Sequence, residues 1–218
     1  MVLVYLIPLA LAAIWCIKYD RQAEMDSHKS HRFWLLCIIL SLITGLSYAL
    51  GGDKQTYLTE FEGYPNSFEG LAEHIRLGFI TRGQMPGWVL LNSFAKIFFN
   101  SFYVVQLIEA FFINFAVFYT VRRYTQHVFF FSILYFLTFT YFDFNTEVMS
   151  EAFAIGFFLL ATETWFRKKY ALTIMLGCFA LFFHVSAIII FLFPFMRFSI
   201  TLKRFPWVVL AAAIFWLV

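Results

Sequence analysis

The side chains that could do chemistry in this chain are few, because most of it is apolar. Carboxylates stand at Asp53, Asp143, Glu147 and Glu151, a histidine at 184, and an arginine at 82. Asp53 follows Gly51-Gly52, glycines that let the backbone turn sharply. A carboxylate at such a turn can take a proton from an acceptor hydroxyl as a general base. Arg82 opens the stretch Arg82-Gly83-Gln84-Met85-Pro86-Gly87-Trp88, where a guanidinium could hold a phosphate or pyrophosphate bidentately and Trp88 suits a membrane interface. Asp143, Glu147 and Glu151 are spaced i, i+4, i+8 and would share one helical face. Thr146 is expected to be the N-cap, which leaves Asp143 outside the helix and Glu147 in its first turn, where the dipole favours a carboxylate. Glu151 would then lie a turn deeper and need a partner or a proton. His184, within Phe182-Phe183-His184-Val185-Ser186, must be hydrogen-bonded or line a cavity.

Each of these has a plainer reading. Asp53 could be a solvated loop residue, Arg82 an interfacial anchor, Glu147 a helix cap and His184 a satisfied core histidine. His28-x-x-His31 lacks a third ligand nearby, so no metal is expected. Cys16, Cys37 and Cys178 lie in apolar runs without a CxxC pattern and suggest neither disulfides nor zinc. No Walker loop or G-x-G-x-x-G occurs, and no cofactor is indicated.

The elements that must position these residues are membrane helices. Apolar residues make up 62% of the chain and charged ones 13%, against about 45–50% and about 25% in soluble domains. A soluble domain of 218 residues could not enclose 32 phenylalanines, which excludes a soluble enzyme and a nucleic-acid binder. Apolar runs at 2–17, 33–50, 102–121, 128–142, 147–166, 170–196 and 206–218 predict an all-α polytopic transmembrane bundle of about seven spans or half-spans. The chain is expected to be a single integral membrane domain, 1–218, and a fragment of a longer protein, since its final run stops without a polar flank.

Lys and Arg cluster at 18–32, at Arg122-Arg123 and at Arg167-Lys168-Lys169, after each odd span. All are cytoplasmic if the N-terminus is outside. The long loop 51–87 is then extracytoplasmic, with an amphipathic middle that suggests a short helix on the membrane. The outer side would gather Asp53, Lys54, Tyr57, Arg76, Arg82, Asp143, Glu147, Glu151 and His184 from separate stretches. For 170–196, two short halves meeting near His184 return Arg197, Lys203 and Arg204 to the cytoplasm, as the rule asks; half-helices at that depth are buried or line a wet cavity.

These residues resemble a known family. Gly51-Gly52-Asp53…Tyr57…Phe61, Pro86-Gly87-Trp88…Leu91-Asn92, Ala152-Phe153-Ala154-Ile155, the basic turn at 167–169 and Phe183-His184-Val185-Ser186-Ala187 are similar to the EpsG family of exopolysaccharide polymerases, relatives of the Wzy O-antigen polymerases. The family usually has Glu where this chain has Met85, and an Arg-Gln-like pair where it has Ser150 and Glu151. The resemblance implies polymerisation of lipid-linked oligosaccharide repeat units into exopolysaccharide, capsule or O-antigen at the outer face of a bacterial plasma membrane. The partners implied are a polyprenyl-pyrophosphate-linked glycan, the bilayer and other polysaccharide-assembly membrane proteins, with no nucleic acid. Asp53 or Glu151 is then expected as base, His184 as a positioning or acid–base residue, Arg82 as a phosphate contact, and Tyr57, Glu147 and Trp88 as substrate-binding residues. The alternatives are a multi-span transporter or flippase of lipid-linked sugars, which would use the same cluster without catalysis, and a structural assembly subunit.

Overall fold

A computed structural model of the chain describes residues 2–21, 25–47, 52–138 and 140–197. Those residues are helical and contain no strand. The order is α1 (Val2–Tyr19), α2 (Ser27–Gly45), α3 (Gly52–Glu62), α4 (Leu71–Arg82), α5 (Pro86–Phe99), α6 (Phe102–Tyr124), α7 (Val128–Leu137), α8 (Thr140–Phe142), a π-helical segment (Asp143–Glu147), α9 (Met149–Phe166), α10 (Tyr170–Phe183) and a 3₁₀ run (Val185–Arg197). The expected last run, 206–218, lies outside the described residues.

Local chemistry sets several boundaries. The Asp26 carboxylate accepts the Lys29 backbone N–H and caps α2, which therefore starts before the apolar run. Pro86 occupies the first turn of α5, where its missing N–H is harmless. Arg122 and Arg123 sit in the last turn of α6, where cations meet the negative end of the dipole.

Helix α6 is the central post, packed against α2, α5 and α9. Its 23 residues span about 34 Å, enough for a bilayer core of about 30 Å. Its polarity is inside out. Gln106, Glu109 and Asn114 are buried, while Tyr103, Ile108, Phe111 and Phe115 are exposed. Water around this helix would demand the reverse, and a hydrocarbon surround accounts for it.

Among the described residues, α6 is the one helix that is by itself long and apolar enough to cross a membrane. A second counts if α7 and Thr140–Glu147 are one bent span, and Val4–Tyr19 and Tyr170–Phe183 are shorter apolar helices. The expected run 128–142 is thus not one straight helix: its two parts meet at 78°. Thr138 donates its hydroxyl to Leu134 O at 2.8 Å and lies 3.1 Å from the Thr140 hydroxyl, a local side-chain pattern that competes with continued helix.

The block 170–196 folds back at His184. That residue is extended (φ −154°, ψ 137°) and ends α10. A Cβ on Gly177 would lie 3.1 Å from Ile190 and 3.3 Å from Phe191, so the 3₁₀ run returns along α10 as the second arm of a hairpin. The loop 51–87 holds two helices, α3 and α4, in place of the single short one expected.

The basic clusters meet at one end of the bundle. Lys29 Nζ donates to Gln126 O (2.8 Å) and lies 3.7 Å from Asp20. Asp20 in turn accepts the backbone N–H groups of Phe129 (3.4 Å) and Phe130 (2.8 Å). Arg123 and Arg167 both reach Glu163, at 3.7 and 2.6 Å. Segments 18–32, 122–130 and 163–169 are therefore neighbours, the arrangement that the clusters after alternate spans had suggested.

Candidate active site at the acidic end

Three elements build the opposite end of the bundle. The first turn of α3 supplies Asp53 and, one turn on, Tyr57. The π-helical segment and the start of α9 supply Glu147, Ser150 and Glu151. The tip of the α10 hairpin supplies His184 and Ser186.

They are linked by contact. The Asp53 backbone N–H donates to Glu147 Oε2 at 3.2 Å, which ties α3 to the π segment. The Tyr57 hydroxyl lies against Ser150, and burial pushes that phenol above its ordinary pKa while the Ser150 hydrogen bond opposes the shift. Beside Ser150, Glu151 Oε1 lies 3.4 Å from Ser186 Oγ and 4.0 Å from His184 Nδ1. Ser186 Oγ is 2.8 Å from that same Nδ1. The His184 and Glu151 side chains are 34% and 36% exposed, open enough for a substrate to reach.

The histidine contacts all fall on Nδ1, and Nε2 has no hydrogen-bond partner among the described residues. Two proton arrangements satisfy the cluster. If Ser186 donates its hydroxyl to Glu151, its oxygen accepts from Nδ1–H, and Nε2 carries a lone pair. If Ser186 donates to Nδ1, joined by its own backbone N–H at 3.3 Å, Nε2 carries the proton. In the first arrangement the ring is a base at Nε2, and in the second it is an acid.

Gly87 explains part of the Pro-Gly-Trp stretch. A Cβ there would sit 2.6 Å from Phe182 O and 2.8 Å from the Phe182 ring, so glycine lets α5 butt directly against the hairpin below its tip. Trp88, expected among the substrate contacts, is 3% exposed. Its ring packs edge-on to Tyr57 at 5.3 Å and tilted to Phe153 at 6.4 Å, so it backs the tyrosine and does not face the opening. Arg82 ends α4, and its side chain lies outside the described residues. Arg76 pairs with Glu73 on the exposed face of α4, 2.6 Å away.

Two local expectations are corrected. Thr146 is not an N-cap: it is buried and donates to Phe142 O within the π segment, and Val148 holds the cap position of α9. Glu151 is consequently in the first turn of α9, not one turn deeper, and Glu147 belongs to the π segment. The extra residue of a π turn shifts every later side chain around the axis, and simple i, i+4 counting does not anticipate it.

Sequence reasoning passed over Ser186, whose signal was its place two residues after a histidine in an apolar run. It also passed over Glu109, the acidic residue inside the span Phe102–Tyr124, where a carboxylate in an apolar 23-mer should have drawn notice. Lys54, expected in the open outer cluster, is turned inward and 1% exposed. Among the described residues no three His, Cys, Asp or Glu side chains come together as a metal cage requires.

A family model described as the EpsG family matches residues 32–218. No curated protein and no solved structure matches the chain.

Proposed function

Because the chain belongs to the EpsG family, we propose that it serves exopolysaccharide synthesis as a multi-pass glycosyltransferase of the plasma membrane, extending polyprenyl-pyrophosphate-linked glycans at the outer face. The observation that carries this reading is the contact between Glu151, Ser186 and His184, half-open beside Tyr57 and Asp53. Residues from three distant stretches would have no packing reason to meet there with polar groups facing outward.

The transfer needs three things. An acceptor hydroxyl attacks the anomeric carbon of the donor glycan. The carbon–oxygen bond to the pyrophosphate breaks, and its electron pair leaves with the pyrophosphate. The hydroxyl proton passes to a base. His184 Nε2 takes that proton when Nδ1–H is held by Ser186 and Glu151, and the Glu151 carboxylate stabilises the imidazolium that results. Asp53, Glu147 and Tyr57 suit acceptor hydroxyls, and Arg82 the pyrophosphate.

The basic end is cytoplasmic in this reading, and the acidic end, with α3 and α4, faces out. The bent pair of α7 and Thr140–Glu147 and the hairpin at His184 count as broken spans, which brings the bundle toward the seven that the apolar runs suggest. A transporter of lipid-linked sugars would need a polar path through the middle of the bundle. The polar groups there are closed on one another: Thr44 Oγ1 and Asn114 Nδ2 donate to Asn145 Oδ1 at 3.0 Å each, and Tyr135 donates to Asn114 Oδ1 at 3.0 Å. That favours the enzyme.

The test is a gel ladder of lipid-linked glycans from a deletion strain complemented with Glu151→Gln or His184→Gln. The ladder is expected to collapse to single repeat units while membrane insertion is kept. Normal ladders from both variants would remove these residues, and the reading with them.

A further inference from the structure

Helix α3 carries Asp53 and Tyr57, yet its sequence gives it little to hold on with. Gly52–Glu62 offers Tyr57, Leu58 and Phe61 as its large apolar side chains, all in its second half. Its first turn, where Asp53 sits, contains Lys54, and Lys54 points into the bundle.

Lys54 Nζ donates to Thr44 O (3.2 Å) and Ser47 Oγ (2.8 Å) at the C-terminal end of α2. A cation suits the free carbonyls of a helix end. On the other side stands Glu109 of α6, 1% exposed, whose two carboxylate oxygens have no hydrogen-bond partner among the described residues. The charge acting on Glu109 is that of Lys54. One helical turn nearer the α6 N-terminus, Gln106 is also buried, and its Oε1 has no partner either. Lys54, Ser47 and Gln106 line a cavity of about 40 Å³, which is room for one water of about 30 Å³. A buried carboxylate with neither hydrogen bond nor counter-charge would cost several kcal/mol.

We propose that Lys54 and Glu109 form a buried charge pair that seats the first turn of α3 on the spanning helix α6 and so acts as the positioning device for Asp53 and Tyr57. Successive residues on a helix lie about 100° apart, so holding Lys54 inward turns Asp53 outward. Tyr57, three residues after Lys54, is set against Ser150 by the same anchor. Burial lowers the Lys54 ammonium to about 8, and the charge of Glu109 works against that shift, as a pair requires. The inference rests on the polymerase reading only for what α3 positions, not for the pair itself.

The test therefore reads geometry and not activity. Cysteines placed at Asp53 and Glu147, in the full chain with its own cysteines replaced, report by disulfide trapping whether α3 is seated on the π segment. Lys54→Met or Glu109→Gln alone leaves one buried charge uncompensated and should slow trapping by about tenfold or more. The combined Lys54→Met/Glu109→Gln chain has no buried charge left and should recover to within about threefold of the parent. Lys54→Arg keeps the charge and should trap like the parent. If Lys54→Met does not accumulate in membranes but the combined variant does, the pairing is supported in a stronger form. Unchanged trapping in the single variants, or a combined variant as slow or as absent as Lys54→Met, would overturn it. A lost polysaccharide ladder with normal trapping bears on the active site and leaves the pair standing.

Discussion

The two ends of the bundle treat their acids differently. At the basic end Asp20 and Glu163 are buried and enclosed: Asp20 by Lys29 and two backbone N–H groups, Glu163 by Arg123, Arg167 and the Tyr124 hydroxyl at 3.0 Å. At the acidic end Asp53 is exposed, Glu151 and His184 are a third exposed, and His184 keeps one ring nitrogen clear. Enclosed acids with several partners fasten helices together, and half-open ones with spare hydrogen-bonding capacity are available to a ligand. The same residue types thus do mechanical work at one end and stand ready for chemistry at the other.

The largest expected effect tests that division directly. His184→Gln should lower polymer formation per inserted molecule by about 100-fold or more, the scale of a lost acid–base group, with membrane content unchanged. Glycan-ladder densitometry normalised to the immunoblot signal checks it. An equal loss of both quantities would mean that His184 is a packing residue and would erase the contrast between the ends.

Gly87→Val comes next. Its side chain must displace Phe182, so α5 and the hairpin separate at a cost of about 1–3 kcal/mol. Thermal denaturation in detergent should show the loss, and the ladder should shorten as well, because the hairpin tip carries His184. A destabilised chain with full activity per molecule would show that the hairpin need not be held against α5.

Glu163→Gln should do the reverse of His184→Gln. Its arginine partners are about half exposed, so the cost is about 1 kcal/mol or less, discounted for solvent. Membrane content should fall slightly, with activity per molecule unchanged. A selective loss of activity would place chemistry at the basic end too.

The contrast was partly legible in the sequence. Runs of Lys and Arg after alternate apolar segments foretold that 18–32, 122–130 and 163–169 would meet, because charge placement in a membrane protein is nearly a topological instruction. The break at His184 followed from the same rule. What could not be read were the side-chain directions. Lys54 and Asp53 are adjacent and equally polar, yet one is buried and one exposed, and that depends on Glu109, 55 positions later, meeting Lys54 in space. The π turn at Asp143–Glu147 was hidden for another reason: it inserts one residue per turn without a sequence mark as clear as proline or glycine, and it moved Thr146 off the cap and Glu151 into the first turn of α9.

The smallest effect concerns the one outer-loop cation that behaves like the enclosed end. Burial lowers Lys54 from 10.5 to about 8 in the folded protein. Between those values the unfolded chain holds the proton and the folded one has released it, so unfolding takes up a proton and stability rises with pH. The contribution is fully present above about 10.5 and is lost as pH falls through about 8. Wild type compared with Lys54→Met in detergent should therefore gain a few degrees of apparent melting temperature between pH about 8 and about 10.5, an increment the variant lacks. Tyr57, whose pKa burial also raises, titrates in both proteins and cancels in the difference. Parallel curves across that window would mean that Lys54 is solvated when folded, and would return it to the open group of residues around Asp53.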